Sequence, residues 1–426
     1  MIKATVGSAA REILEQAQLT RLRWMLDAVL ARNEFYKRKL AGAGVSHGNE
    51  IQTLDDLRRL PFTTKEELSA DQEAHPPFGT NLTEPVASYV RVHQTSGTTG
   101  RPLRCLDTAE SWEWWGRGWS TVYEHAGVGA ADRIFFAFSF GPFIGFWSAF
   151  EGARMIGALA LAGGGMTSLQ RLHSILENRA TVLVSTPTYA LHLAEVARAE
   201  GIDLAGSSVR VTIHAGEPGA NIEGTRQRIE AAWGARCFDH AGATEVGPWG
   251  FECGERAGLH LNEDELIGEV VDPRTGEPAD TGELVLTNLG RGCMPVIRYR
   301  TGDRVDVDRT PCACGLPFIR FRGGVAGRID DVLIIRGVNV FPSAIENVVR
   351  RFAEVVEFAV DVRRRGELDE MEVRVEVESG DAQGIAGGLK AALRDALGLR
   401  AQVVPVVSGT LPRYDLKARR FRDHRA

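Results

Sequence analysis

The chain has 426 residues, of which 44% are hydrophobic and 25% charged, and its formal net charge is −6. A chain of this length exceeds what one hydrophobic core usually serves, so the sequence predicts two domains. The acidic balance lacks the excess of Lys and Arg that binding to a nucleic-acid backbone requires, which argues against that class of partner. No apolar run reaches the roughly 18 to 20 residues of a membrane span, and the N-terminus lacks a secretory signal pattern, so we expect a cytoplasmic protein without membrane contact.

The hydrophobic periodicity predicts a helical start followed by an α/β region. Apolar positions recur at helical spacing between residues 8 and 43, and we expect residues 1–80 to form a helical segment. Between about residues 87 and 300, β-rich runs alternate with helical stretches; examples are the β-rich 133–138, 181–184 and 209–213 and the helical 188–200 and 221–233. This alternation predicts layered, largely parallel α/β sheets, which place ligands at the carboxyl ends of their strands.

The pattern changes after residue 331 and predicts a compact α+β domain. Residues 343–352 and 385–397 have helical patterns, and residues 355–362 and 371–377 are β-rich. The predicted fold class is therefore α/β, with a large N-terminal domain over residues 1–329, made of layered sheets and helices, and a small C-terminal α+β domain over residues 330–426.

A run dense in hydroxyl groups and glycine occupies the start of the α/β region. It reads Thr95-Ser96-Gly97-Thr98-Thr99-Gly100. Such a loop offers many hydrogen-bond donors to a polyphosphate, on backbone that approaches closely. The spacing fits neither the dinucleotide fingerprint nor the GxxxxGK[ST] loop. A nucleotide triphosphate loop and a flexible surface loop are both compatible with the run alone.

Six further motifs follow, and their order favours the nucleotide interpretation. They are His214-Ala215-Gly216-Glu217-Pro218, Gly242-Ala243-Thr244-Glu245, Tyr299-Arg300-Thr301-Gly302-Asp303, Gly327-Arg328-Ile329-Asp330-Asp331, Arg336-Gly337-Val338-Asn339, and Leu411-Pro412-Arg413 with Lys417. With these motifs the chain resembles the adenylate-forming superfamily of acyl-CoA synthetases, peptide-synthetase adenylation domains and luciferases. Within that superfamily it is most similar to the phenylacetate-CoA ligases, from Asn33-Glu34-Phe35-Tyr36 to Lys417.

The resemblance implies a two-step reaction. ATP and Mg²⁺ would adenylate a carboxylic acid with release of pyrophosphate, and the acyl group would then pass to coenzyme A. Residues 95–100 would close on the β- and γ-phosphates, Thr244 would bind the α-phosphate and Glu245 the Mg²⁺ ion. Asp303 is similar to the carboxylate that accepts the ribose hydroxyls, with Arg328 assisting. As an alternative, Glu245 is an acid favoured at a helix start by the helix dipole.

The base-binding segment contains a departure from the family. By resemblance, Ala215, Gly216, Glu217, Pro218 and Asp239 line the adenine. Family members usually carry an aromatic residue before the glycine of the Thr-Glu motif, whereas this chain has Ala241. Adenine stacking is then weakened, or the space is given to the acid. His240 is either a polar wall of the acid pocket or a structural histidine with satisfied nitrogens.

The acid pocket is expected to be apolar and to accept an aromatic acid, an aryl or arylacetic acid. The stretch that resembles the acyl site contains Phe138, Phe140, Gly141 and Phe143. Three more residues are expected to line the pocket: His214, His240 and Ala241. The tryptophans at 112, 114, 115 and 119 recur at helical spacing and favour helix packing over a substrate site.

The resemblance also implies that the C-terminal domain is mobile. Lys417 resembles the lysine that bridges the acid carboxylate and the α-phosphate, although Leu416 stands where a glycine normally precedes it. Asp330 would act as the hinge, and rotation would bring Arg336 and Gly337 to the thiol of coenzyme A. A carrier-protein thiol or an amine is an alternative acceptor of the acyl group. A more distant alternative is that the protein is a non-catalytic nucleotide-binding relative of the family. A homodimer is compatible with this size and family.

Four residues with metal-binding side chains form a second group: Cys253, His260, Cys312 and Cys314. Three thiolates and one imidazole satisfy tetrahedral Zn²⁺ with no open position, as in structural sites. Reduced buried thiols are the alternative, because the spacing is looser than in a paired zinc finger. The other cysteines, at 105, 237 and 293, are expected to be packing residues.

Overall fold

A computed structural model describes most of the chain. The described residues are 8–95, 102–142, 144–336, 338–365, 368–378, 380–414 and 418–425. Within these ranges, no helix combines the length and the apolarity that a membrane span requires.

Helices begin the chain and then cover the large sheet. They are α1 (Ser8–Arg32), α2 (Glu34–Leu40), α3 (Lys65–Ala74), α4 (Ala109–His125), α5 (Trp147–Met155), α6 (Ser168–Glu177), α7 (Pro187–Ala199) and α8 (Glu223–Trp233). Side-chain caps fix several of the starts: Thr64 and Thr167 each take part in a capping box. The α1 stripe, which includes Leu22, Met25 and Leu26, is buried in the core, as the periodicity predicts.

The strands of the N-terminal part form one hairpin and one large sheet. The hairpin pairs β1 (Tyr89–Gln94) with β2 (Arg104–Thr108). The large sheet begins with β3 (Arg133–Phe136), β4 (Leu159–Ala162), β5 (Val182–Ser185), β6 (Val211–His214) and β7 (Arg236–Ala243). It continues with β8 (Gly247–Glu252), β9 (Leu259–Leu261), β10 (Leu266–Val271), β11 (Thr281–Asn288), β12 (Tyr299–Asp308), β13 (Arg320–Phe321) and β14 (Gly327–Arg328).

This sheet is half parallel and half antiparallel. Its order is β10-β11-β12-β13-β9-β8-β7-β6-β5-β3-β4, with β14 on β12. Strands β3 to β7 are parallel, as the sequence predicts, but β8 to β14 pair antiparallel. The expectation of a largely parallel sheet therefore fails for the second half. The physical reason is the connection length, because β7 and β8 are joined by a short turn and parallel neighbours need a longer crossover.

Helices cover both faces of the parallel half, which makes it a three-layer α/β structure. Successive side chains of a strand point to opposite faces. Phe136 and Phe238 therefore enter the apolar cluster formed with α4 and α5. Phe135 and Leu183 enter the cluster on the other face, with α6, α7 and α8. The carboxyl ends of β3, β5, β6 and β7 lie side by side and create the edge on which the predicted motifs fall.

The C-terminal elements form a small α+β domain with its own core. They are β15 (Leu333–Ile335), β16 (Val338–Val340), α9 (Pro342–Val349), β17 (Val355–Arg365), β18 (Leu368–Val377), α10 (Ala382–Leu397), β19 (Ala401–Val406) and β20 (Phe421–Asp423). The four-stranded sheet has the order β19-β18-β17-β20. Val360, Val373 and Leu389 are fully buried in its core. The predicted boundary at residue 330 falls between β14 and β15.

Candidate active site

The predicted phosphate loop starts and ends on the β1–β2 hairpin. Thr95 closes its base, because its backbone N–H donates to the Leu103 carbonyl at 3.0 Å and its Oγ1 accepts from the Leu103 N–H at 3.1 Å. Ser96, Gly97, Thr98, Thr99 and Gly100 lie outside the described residues.

A buried ion pair joins this hairpin to the Thr244–Glu245 turn. Arg291 donates from Nε and Nη2 to the two carboxylate oxygens of Asp107, at 2.7 and 2.8 Å. Its Nη1 donates to the carbonyls of Thr244 and Glu245, at 3.0 and 3.2 Å. Both charged side chains are at most 1% exposed. The pair therefore fixes the turn that carries the predicted phosphate and Mg²⁺ ligands against the strand that leaves the phosphate loop.

The carboxylate of Glu245 already faces a cation. Lys65 Nζ lies 3.2 Å from Glu245 Oε1, and the Glu245 side chain is largely buried. A largely buried carboxylate fits the chemistry of a Mg²⁺ ligand, since hard cations prefer carboxylate oxygens, and in this structure Lys65 pairs with it. Lys65, Asp107 and Arg291 were not predicted as site residues. The sequence offered one signal for these residues, which is that they are charged residues within apolar strand and loop patterns. That signal does not show which residues pair with one another.

The predicted ribose carboxylate and hinge residue share one arginine. Asp303 and Arg328 are cross-strand partners on β12 and β14, and Arg328 Nη1 lies 3.5 Å from Asp303 Oδ1. Arg328 also donates from Nε and Nη2 to the carboxylate of Asp330, at 2.9 and 3.0 Å. Gly302 has φ of 75°, a left-handed backbone conformation that favours glycine at this position.

The predicted adenine segment contacts the C-terminal tail. Ala215, Gly216, Glu217 and Pro218 follow β6, and Gly216 has φ of 96°. Glu217 is half-buried between the domains, and its carboxylate accepts from the N–H of Thr188 at 3.0 Å and from the N–H of Ala418 at 2.8 Å. Burial raises the pKa of Glu217. Lys417 lies outside the described residues, but its neighbour Ala418 is bound at this segment.

Asp239 lies in the middle of β7, opposite the last residue of β6, and beside a second buried carboxylate. Its backbone N–H donates to Glu252 Oε2 at 2.8 Å, and Glu252 Oε1 pairs with Arg226 at 2.7 Å. Burial and the nearby Glu252 charge raise the pKa of Asp239 well above its ordinary value. A carboxyl group held in this way favours its protonated form, which donates a hydrogen bond.

The structure connects several of the predicted acid-pocket residues through aromatic contacts. The ring centroids of His240 and Trp119 are 4.3 Å apart, and those of Trp119 and Phe146 are 6.0 Å apart. Phe138 lies 4.7 Å from Phe146 and 6.0 Å from Phe140. We refer to these five residues as the aromatic wall. Trp119, predicted as helix packing, is part of it.

Other predicted pocket residues have separate surroundings. His214 pairs with Asp239 across β6 and β7, so it points to the sheet face opposite His240, and its Nδ1 lies 3.3 Å from Ser185 Oγ. The structure does not bring His214 to the aromatic wall. Ala241 pairs with Gly250 across β7 and β8.

Two loops complete the set of predicted acid- and thiol-binding residues. The Gly141 carbonyl accepts a hydrogen bond from Trp147 Nε1 at 3.1 Å, while Phe143 lies outside the described residues. Arg336 donates from Nε to the Asp369 carbonyl of its own domain at 2.8 Å, and Gly337 also lies outside the described residues.

The four predicted zinc ligands converge at one place. The ligand atoms of Cys253, His260, Cys312 and Cys314 all lie within 4.8 Å of one another. The sulfurs of Cys253 and Cys312 are 3.7 Å apart, and the Cys314 sulfur is 3.5 Å from His260 Nε2. Two sulfurs that each lie about 2.3 Å from a tetrahedral Zn²⁺ are about 3.8 Å apart, so the observed spacing fits that ion.

Comparisons with known proteins agree with this geometry. A family model described as AMP-binding enzyme C-terminal domain matches residues 337–425. The phenylacetate-coenzyme A ligase of Escherichia coli (strain K12) is 33% identical, over 99% of this chain and 97% of the relative. A crystal structure of 2-hydroxyisobutyryl-CoA ligase in the postadenylation state has a TM-score of 0.92 at 30% identity, covering 99% of this chain and 91% of that one. The same enzyme in the thioesterification state, at the same identity and coverage, has a TM-score of 0.73.

The fold and these similarities define an AMP-forming acid–thiol ligase of the adenylate-forming class. Within that class, the chain belongs to the phenylacetate-CoA ligase family, because its similarity to these relatives covers nearly its whole length.

Proposed function

We propose that this ligase adenylates an aromatic carboxylic acid and transfers the acyl group to coenzyme A. The observation that carries the proposal is the aromatic wall, which lines one sheet face at the strand ends where the Thr244–Glu245 turn begins. Flat aromatic acids suit such a surface, because ring pairs add to the free energy of burial. The names of the curated relatives, phenylacetate-coenzyme A ligases, support the same acid class.

The residues near the turn handle the charge of adenylation. Thr244 offers a hydroxyl to the α-phosphate, and Asp303 accepts the ribose hydroxyls with Arg328 holding its carboxylate. Glu245 would hold Mg²⁺, which neutralises charge on the phosphate oxygens when bound. Lys417 would bring its ammonium to the acid carboxylate and the α-phosphate, so that two anions approach each other at lower electrostatic cost.

The domain arrangement supports this assignment of Lys417. The TM-score is higher to the relative's postadenylation state than to its thioesterification state, although identity and coverage are equal. In this arrangement Glu217 binds the N–H of Ala418, the residue that follows Lys417 in the sequence. A rotation about Asp330 would release this contact and bring Arg336 and Gly337 to the thiol of coenzyme A.

Acid-dependent pyrophosphate release tests the proposal. The assay measures release from ATP and Mg²⁺ with benzoates, phenylacetates, cinnamates and fatty acids, with and without coenzyme A. We expect an aryl acid to stimulate release and coenzyme A to accelerate it. Fatty acids as the better substrates would contradict the aromatic assignment, and release without acceleration by coenzyme A would indicate another acceptor.

A lysine comparison tests the role of Lys417. We expect Lys417→Ala to lower acid-dependent pyrophosphate release at least about a hundredfold, because the two anions lose their shared cation. Lys390→Ala is the matched control, since Lys390 is an exposed lysine on α10 of the same domain. Equal rates in the two variants would remove Lys417 from the reaction.

We further propose that Cys253, His260, Cys312 and Cys314 hold a structural Zn²⁺ ion. The four ligand atoms leave no coordination position for a substrate, so the ion would tie the loop around Cys312 to β8 and β9. Elemental analysis is expected to find about one Zn²⁺ per chain. Cys314→Ser should lower the zinc content, whereas Cys237→Ser, at a buried cysteine outside the group, should retain it. Protein free of zinc before any chelator treatment would contradict the site.

A further inference from the structure

We propose that His240 selects an acid whose acyl group carries a hydrogen-bond donor, a hydroxyl or amino group, at the end that reaches the aromatic wall. The inference deepens the proposed function and rests on it. It differs from that proposal in one respect, because the family name suggests an acid without such a group, phenylacetate.

The hydrogen bonding of His240 fixes its tautomer. Its Nδ1 lies 2.6 Å from the carbonyl oxygen of Gly250. A carbonyl only accepts, so Nδ1 carries the proton. The residue is 5% exposed, and burial lowers its pKa to about 4. At neutral pH the ring is therefore uncharged, and Nε2 is a pure acceptor with a free lone pair.

The position of Nε2 directs this acceptor toward the reaction site. Among the described residues it has no hydrogen-bond partner, since the only hydrogen bond of the ring runs from Nδ1 to Gly250. It lies 3.4 Å from the point where a Cβ on Gly242 would stand. Gly242 opens the turn to Thr244 and Glu245, and a Cβ there would meet the Gly247 carbonyl oxygen at 3.1 Å and Pro248 Cα at 3.3 Å as well as Nε2. Nε2 is not one of the fully occluded side-chain atoms that lack a partner, so accessible space remains beside this acceptor.

The aromatic wall closes the other side of this space. Trp119 packs on the His240 ring, and Phe146 and Phe138 extend the apolar surface away from it. An acyl group bound between the wall and the turn would meet one polar atom in these surroundings, and that atom is an acceptor.

The chemistry of the acid follows from this arrangement. A donor placed on an acceptor that lacks a partner gains a hydrogen bond in a water-poor site. An unsubstituted aryl acid leaves Nε2 unpaired or against a trapped water. A methoxy group repels it, because an ether oxygen is also an acceptor. A hydroxyl or amino group satisfies it, on the ring or on the carbon next to the carboxylate.

The test compares kcat/KM for pyrophosphate release among matched acids with the wild-type enzyme. Each set contains a parent acid, its hydroxyl and amino derivatives, and the methoxy derivative of the same position; phenylacetate and benzoate are the ring parents, and mandelate tests the α-hydroxyl. We expect at least one donor-bearing acid to exceed its parent and its methoxy analogue about tenfold or more. Parent acids equal to or better than every donor-bearing acid would overturn the inference.

A substitution separates the acceptor from the shape of the pocket. In His240→Phe a ring of similar size remains but the acceptor is lost, and the ratio of donor-bearing to parent acid is expected to fall to within about twofold. In His240→Gln an acceptor can be restored, and part of the ratio should return. An unchanged ratio in His240→Phe would refute the role of Nε2. Absence of release with every acid would instead refute the proposed function, so the two failures are distinguishable.

Discussion

Replacing Asp107 tests how the Thr244–Glu245 turn is held in place. In Asp107→Leu the guanidinium of Arg291 stays buried without its carboxylate, since both side chains are at most 1% exposed. Breaking a buried pair from one side costs about 3 to 5 kcal/mol. Because large domains shift their melting temperature by about 2 °C per kcal/mol, we expect a loss of about 6 to 10 °C.

The double variant Asp107→Leu/Arg291→Met separates stability from positioning. Replacing both charges by apolar groups removes the unpaired ion, so most of the stability should return. Adenylation should not return, because the carbonyls of Thr244 and Glu245 still lack the Nη1 donor of Arg291. Hydrogen bonds from a charged donor contribute about 1.5 to 3 kcal/mol, so we expect pyrophosphate release to fall at least about tenfold.

The assays are thermal unfolding and acid-dependent pyrophosphate release on the same preparations. Asp280→Ala is the control, because it removes an exposed ion pair with Arg309 and should cost at most about 1 kcal/mol. A double variant as unstable as Asp107→Leu would refute the account of the buried charge. A double variant with wild-type pyrophosphate release would refute the positioning role of Arg291.

Three further predictions follow from named contacts. Glu245→Gln should raise the Mg²⁺ concentration that half-saturates pyrophosphate release about tenfold or more, because a neutral amide binds the ion more weakly; an unchanged Mg²⁺ titration would contradict this ligand role. Arg413→Ala removes the ion pair with Glu195 across the domains and the ion pair with Glu376. Single-turnover assays should then show that adenylation is slowed more than thioester formation. Equal slowing of both steps would count against domain alternation. Asp361 is buried, yet His424 and Arg374 lower its pKa. Asp361→Asn should therefore lower the free energy of unfolding at pH 7, and its difference from the wild type should shrink as pH falls through that lowered pKa. A difference in unfolding free energy that is independent of pH would exclude this cause.

Local patterns predicted the elements better than they predicted the sheet. The alternation of β-rich and helical runs predicted β3, β5 and β6 and the helices α7 and α8, because each run carries its own periodicity. The same rule did not anticipate the antiparallel half, where β8 to β14 are joined by loops without helices. Strand direction depends on connection length and on pairing partners far apart in sequence, and periodicity contains neither.

The candidate site shows the same division between local motifs and distant partners. Thr244, Glu245, Asp303 and Arg328 lie in motifs by which the chain resembles a family, so the sequence predicts them as site residues. The pairing of Asp107 with Arg291 joins residues 184 positions apart, and neither belongs to one of those motifs. The group of three cysteines and one histidine could be predicted from the sequence, because its residue types alone suggest zinc even though the spacing is loose.

The contacts that join the two domains differ in kind from those within the large domain. Arg413 and Glu195 form an ion pair in which each side chain keeps more than a quarter of its surface exposed, and Arg198 and Glu378 form one that is more exposed still. Such pairs contribute about 1 kcal/mol or less each, because water competes for both charges. The pair of Asp107 and Arg291 is fully buried, and breaking it is far more costly. The C-terminal domain is also held by hydrogen bonds from Arg228 to the carbonyls of Phe352 and Val355 and from Arg420 to Thr188 Oγ1. The proposed rotation would therefore have to break these contacts as well as the exposed pairs, while the buried pair would hold the turn that carries Thr244 and Glu245.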